Sequence, residues 1–141
     1  MRIPPELQQD RFNPVVAANL ATNRWLVSAV IYFVIAVGLG IFMGASGDHR
    51  LSGMHAHLNL LGWVSMALIG FIYRAWPAAA VSRLAKTQFW IYSIALPPMM
   101  IALGFKLLGH HEADPVLGIT SMAMGVSALL FAINILRQPR G

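Results

Sequence analysis

Four apolar stretches, at residues 25–45, 54–73, 89–108 and 115–136, constrain this chain more than anything else in its sequence. Each is close to the ~20 residues that a helix needs to cross a bilayer core of about 30 Å. The polar segments between them, 46–53, 74–88 and 109–114, are short enough to make consecutive spans antiparallel neighbours. The expected fold is therefore all-α, an integral membrane bundle of four helices running up, down, up, down. Residues 25–136 form its membrane domain, 1–24 an N-terminal arm and 137–141 a tail. Composition argues against a soluble fold. With 57% hydrophobic and 11% charged residues and a mean hydropathy of +0.65 over 141 residues, the chain has more apolar surface than so small a core can hide. Lipid must cover the excess.

Charge sets the expected orientation. Arg2, Arg11 and Arg24 precede the first stretch, Arg74, Arg83 and Lys86 lie between the second and third, and Arg137 and Arg140 follow the fourth. Only Arg50 and Lys106, with Asp48, Glu112 and Asp114, belong to the other side. Short loops rich in Lys and Arg stay in the cytoplasm, so both termini are expected there. The net charge of +5 and pI near 10.5 then reflect orientation and anionic headgroups. No basic run interleaves with aromatics, and nucleic acid is not an expected partner. Trp25, Tyr73, Trp76, Phe89, Trp90 and Tyr92 gather at the same face, as an aromatic belt would. The first stretch starts too late and runs too long for a signal peptide, although Gly44-Ala45-Ser46 offers small residues. The arm, with Pro4, Pro5 and Pro14, is expected to lie partly on the membrane surface. Ala36, Gly40 and Gly44 in the first span, and Gly118, Ser121, Gly125, Ala128 and Ala132 in the fourth, mark close helix contact within the bundle or between protomers. Pro97-Pro98 predicts a kink or loosened turn in the third.

Cysteine is absent, which removes disulfides, thiolate metal sites, iron–sulfur clusters and covalent haem attachment through C-x-x-C-H. A metal or cofactor must then use His, Met, carboxylate or backbone. All five histidines, His49, His55, His57, His110 and His111, fall on the side away from the basic residues. His55 and His57 lie in the first turns of the second span, where an ionisable side chain is costly and points to function. Residues two apart on a helix point about 200° apart, so the two imidazoles serve different partners. His55 shares a face with Asn59, Gly62, Met66, Gly70 and Tyr73, a strip of small residues open to a flat macrocycle or a neighbouring helix. His57 shares one with Leu61, Val64, Leu68 and Ile72, suited to a haem edge, lipid or core. Trp63, ~12 Å below His55, is too deep for a belt and is placed to pack on a porphyrin. His110 and His111 can reach the same end as axial or metal ligands, against the plainer reading of a solvated loop beside Glu112 and Asp114. His49, between Asp48 and Arg50, reads as a loop residue.

The run His55-Ala56-His57-Leu58-Asn59-Leu60-Leu61-Gly62-Trp63-Val64 resembles a histidine-bearing helix of haem-copper oxidase subunit I and its nitric-oxide-reductase relatives, and the His-Ala-His segment of the NnrS-type haem membrane proteins. The likeness covers about twenty of the 141 residues. It implies that His55 and His57 bind b-type haem near the outer membrane face. The chain departs from subunit I in having four spans where that family has about twelve, and in lacking an H-x-x-x-Y ligand motif. Complete oxygen reduction by this chain alone is therefore not expected. A homo-oligomer would rebuild a larger bundle, one imidazole turned towards each of two cofactors.

The leading expectation is a b-type haem protein of a bacterial inner membrane that transfers electrons, as part of a haem-dependent oxidoreductase, or binds a diatomic gas (NO or O2). The cofactor-binding residues are His55, His57, His110, His111, Asn59, Gly62 and Trp63, and a redox protein or quinol is the partner. One alternative is copper or zinc at His55, His57, His110 and His111, with Met54 as a further ligand. The other is a structural or assembly subunit of a respiratory complex in which H-A-H only hydrogen-bonds between helices. Within the spans there is no carboxylate for a proton relay, and neither a Ser-His-Asp set nor a phosphate loop is recognisable.

Overall fold

A computed structural model describes residues 13–138, so most of the expected arm, with Arg2, Pro4, Pro5 and Arg11, and the end of the tail, with Arg140, lie outside the described residues. Four helices long and apolar enough to cross a membrane are present, and no strands occur among the described residues. The first, α1, runs Pro14–Ser46. It starts eleven residues before the apolar stretch read from the sequence: Asn13 caps it by accepting from the Val15 N–H at 3.0 Å, and Pro14 takes the first helical position, where no N–H is needed. At 33 residues it is about 50 Å long, more than the hydrocarbon core requires. Residues 14–24 are therefore its first turns. Their inward face carries Ala18 and Thr22, too small to register as an apolar run, and both are buried. Gly47 ends α1 in the left-handed region (φ 68°), returning its N–H to the Met43 carbonyl.

The second helix, α2, spans Ser52–Ala75, but its middle, Leu58–Ser65, is a π-helix between the α-helical segments Ser52–His57 and Met66–Ala75. Widened turns of this kind are rare and concentrate at functional sites. The Tyr92 hydroxyl, from the third helix, donates to the Leu61 carbonyl at 2.8 Å within that segment. After a helical turn at Pro77–Ala80 comes α3, Arg83–Leu107, whose cap Ser82 accepts from the Ala85 N–H. It remains helical through Pro97 and Pro98. A turn with Gly109 at φ 91° and a 3-10 turn at His111–Ala113 lead into α4, Asp114–Leu136.

The helices alternate in direction, and the contacts at each end show it. At one end Trp25 of α1 meets Tyr73 of α2 and both Phe89 and Tyr92 of α3, while Tyr73 also meets Phe131 of α4. At the other, His55 of α2 lies against Gly40 of α1, Met54 against Gly104 of α3, and Lys106 pairs with Asp114 at the start of α4. Helices α2 and α3 are central. In their most apolar windows 39% of residues are buried, against 17% for α1 and 11% for α4, whose outer faces are left for lipid.

The former end carries Arg24, Arg74, Arg83, Lys86 and Arg137 and no carboxylate among the described residues; we call it the basic end, and the other the histidine end. The core of the basic end is aromatic and polar. Trp25, Tyr73 and Tyr92 are 2%, 1% and 4% exposed, so these three are interior anchors instead of belt residues; Trp76 and Trp90, about half exposed, keep the belt position. Around Tyr73 runs a hydrogen-bond network that joins three helices. The Tyr73 hydroxyl donates to Gln88 Oε1 and accepts from Asn134 Nδ2 at 3.1 Å; Asn134 also donates to the Ala79 carbonyl at 3.0 Å and accepts from Ser82 Oγ at 2.9 Å. Ser127 Oγ adds a bond to the Gln88 carbonyl at 3.1 Å. In hydrocarbon these groups have no water to fall back on, so satisfying them internally fixes the helix ends against one another. The small residues of α4 have the opposite fate: Gly118, Ser121, Gly125, Ala128 and Ala132 are exposed, and α4 packs inward through Met124, Ser127 and Asn134.

Two stability outcomes follow. A Cβ at Gly62 would lie 2.7 Å from Tyr32 Cβ and Cγ, whereas one at Gly125 meets nothing within 4 Å. Gly62→Ala should therefore destabilise the detergent-solubilised protein by about 1–3 kcal/mol while Gly125→Ala leaves its thermal midpoint in place. Asn134→Ala, which strands Ser82, Tyr73 and the Ala79 carbonyl, should cost about 1–2 kcal/mol in the same assay.

Candidate functional site

The histidine end is built from the close approach of α1 and α2. Gly40 leaves a gap on α1 that the His55 ring fills: a Cβ at that glycine would stand 2.9 Å from the imidazole Cε1. From this seat Nδ1 donates to the Ala36 carbonyl across the helix interface at 3.0 Å. Because a carbonyl only accepts, the proton belongs on Nδ1, which makes Nε2 the acceptor. Asn59, one turn further along α2, places its Nδ2 3.3 Å from that Nε2 and also donates to the His55 carbonyl at 3.0 Å. The part-buried His55 ring thus has both nitrogens engaged by protein.

His57 points the other way, as the 200° separation requires. Its Nδ1 donates to the Gly53 carbonyl one turn back at 2.8 Å, and the side chain is exposed on the outer surface of α2. Here too the proton is fixed on Nδ1, but Nε2 has no hydrogen-bond partner among the described residues. A ring whose tautomer is set by a backbone carbonyl, with the other nitrogen directed outward, is the arrangement found in imidazoles that ligate metals. The apolar surface continuing from it includes Leu60, Val64 and Leu68, all exposed.

The rest of the expected constellation divides. The strip of Gly62 and Gly70 on α2, read as room for a macrocycle or a helix, is occupied by α1: Tyr32 lies over Gly62, and Leu26 with Trp25 over Gly70. Trp63 packs on Phe33 of α1 with ring centroids 4.8 Å apart. His111 is held by Asp114, Nδ1 to Oδ2 at 3.3 Å, and the same carboxylate pairs with Lys106 at 3.2 Å. His110 is exposed beside the edge of Phe105. The pair therefore belongs to a charged turn. Among the described residues no three His, Asp or Glu side chains come together as a metal site, so His55, His57, His110 and His111 form no joint centre within one protomer. His49 is a loop residue beside the Asp48–Arg50 ion pair, in which the Arg50 guanidinium holds the Asp48 carboxyl down to about 2.

The sequence did not disclose the partners that orient the two rings. Gly40 was visible as a small residue, yet nothing in its identity said that the neighbour in its gap is an imidazole. Carbonyls such as those of Ala36 and Gly53 carry no sequence signal at all.

Different roles predict different costs. His55→Ala empties the gap at Gly40 and removes the interhelical bond, and should lower stability by about 1–3 kcal/mol in a detergent unfolding assay; Gly40→Ala should act in the same direction by displacing the ring. His57→Ala removes only an exposed side chain, with an expected change within about 0.5 kcal/mol. No family model, curated protein or solved structure matches the chain.

Proposed function

We propose that the chain is a haem-binding membrane subunit in which the His57 imidazole would hold the haem and His55 positions the helix that carries it. The observation that supports this reading is the outward Nε2 of His57, on an apolar helix surface, with Nδ1 tied to the Gly53 carbonyl at 2.8 Å. A free imidazole nitrogen facing lipid gains nothing from the bilayer, and coordination gives it a partner. The residues fit a b-type haem in donor chemistry, since without cysteine the group is held by imidazole and apolar contact. Leu60, Val64 and Leu68 provide that contact on one side, and a second copy of the chain provides the other. Bound there, haem would supply one-electron chemistry or bind a diatomic gas.

The chain's own part is positional. The Ala36–His55 bond and the Gly40 gap fix the rotation of α2, and the Gly53 carbonyl fixes the tautomer and tilt of His57. By the distribution of Lys and Arg, the histidine end faces away from the cytoplasm of a bacterial inner membrane, towards a redox protein or quinol. A structural subunit is the second reading, favoured by the complete engagement of His55; copper or zinc shared between His57 residues of two copies is the third.

An absorption spectrum of the purified protein decides between them. A Soret band, present as isolated or after adding hemin, is expected to disappear in His57→Ala while that variant keeps the thermal midpoint of the haem-free protein. Colourless protein that hemin does not reconstitute overturns the haem assignment, and stoichiometric copper or zinc by elemental analysis replaces it with the metal reading. A band that survives His57→Ala removes His57 as the ligand.

A further inference from the structure

The basic end offers a second, independent site. Where the first turns of α1 pass the start of α3, Arg24 and Lys86 line one cleft with Ser82, and Arg24 continues into a groove of about 640 Å³ between α1 and α3. The walls of that groove include Leu20, Val27, Phe89 and the half-exposed Trp90. Neither cation forms an ion pair among the described residues, and every described carboxylate is at the opposite end of the bundle. Positive charge therefore stands over an apolar channel that opens to the lipid side.

The polar groups deeper in the channel point to the ligand. Ser28 lies about 6 Å below Arg24 along α1, and Ser93 about 10 Å below Lys86 along α3. Ser93 Oγ is buried and has no hydrogen-bond partner, and Pro97, four residues on, has no N–H to give the Ser93 carbonyl. An unmet hydroxyl in this setting costs free energy unless a ligand accepts from it. Two cations at the headgroup level and, beneath them, a hydroxyl donor at the bottom of an apolar groove match a phosphate and an ester carbonyl, with the acyl chains running on into lipid. We infer that this groove binds one anionic diacyl phospholipid, its phosphate on Arg24 and Lys86, its glycerol and ester region between Val27, Phe89 and Trp90 down to Ser28 and Ser93, and its acyl chains continuing past them into the bilayer.

Native mass spectrometry of the full chain, released from detergent with dioleoylphosphatidylglycerol or dioleoylphosphatidylcholine added, tests the assignment. The expected result is a one-lipid adduct with the glycerol headgroup that outlasts the choline adduct. Arg24→Gln with Lys86→Gln should reduce its retention on the order of tenfold. Arg74→Gln with Arg137→Gln, an equal charge change at exposed positions of the same end outside the groove, should leave retention unchanged. Ser28→Phe, which fills the channel without altering charge, should also lower it. Equal retention of the two lipids, equal loss in both double variants, or full retention in Ser28→Phe overturns the site. A thermal midpoint measured for each variant separates loss of the lipid from loss of the fold.

Discussion

Hydrocarbon supplies no hydrogen bonds, and the consequences of that one constraint run through the whole bundle. A buried amide, hydroxyl or imidazole has to find its partner within the bundle, and where that partner is on another helix the side chain acts as a fastener at a defined height. Tyr73, Gln88, Ser127 and Asn134 do this at the basic end, and His55 with the Ala36 carbonyl does it at the histidine end. Glycine makes the fastening possible. At Gly40 and Gly62 the backbones of α1 and α2 come near enough for an imidazole or a tyrosine ring to lie directly on the opposing helix. Among the buried polar side chains Gln88 Nε2 and Ser93 Oγ stand out as unmatched, and on the outer surface of α2 the Nε2 of His57 does the same.

The two ends differ in how they are held. The basic end is closed by interlocking aromatic rings and by a network that joins α2, α3 and α4, with Trp25 bringing in α1. The histidine end relies on thinner contacts: a ring in a glycine gap, the Met54 sulfur against Gly104, and an exposed ion pair between Lys106 and Asp114. Exposed ion pairs contribute little to stability. Between the two ends lies the π-helical segment of α2, with Tyr92 bound to its Leu61 carbonyl. The denser interhelical fastening is thus at the basic end, away from the histidines.

Much of this architecture was legible in the sequence because bilayer thickness converts directly into apolar run length. The four helices follow from that, and their alternation follows from short connections. The opposite facing of His55 and His57 was legible too, since it depends only on helical pitch. Other features left no trace. Residues 14–24 continue α1, but Asn19, Asn23 and Arg24 break the apolar run that Val15, Val16 and Leu20 would otherwise extend. The π segment leaves composition unchanged. Trp25, Tyr73 and Tyr92 looked like belt residues because position along a span gives depth but not direction. The glycine strip on α2 announced that something comes close, and α1 was as compatible with it as a macrocycle. Residues Gln88, Ser127 and Asn134 were in plain view, but a lone amide or hydroxyl in an apolar run does not name its partner.

The outward placement of His57 on α2 has an arithmetic side. Copies of a membrane protein inserted with the same topology relate most simply by a twofold axis along the bilayer normal. Any centre that takes two imidazoles from equivalent positions must then sit on that axis, and loading would saturate at one centre for every pair of chains. A centre content of one half per polypeptide would be full occupancy.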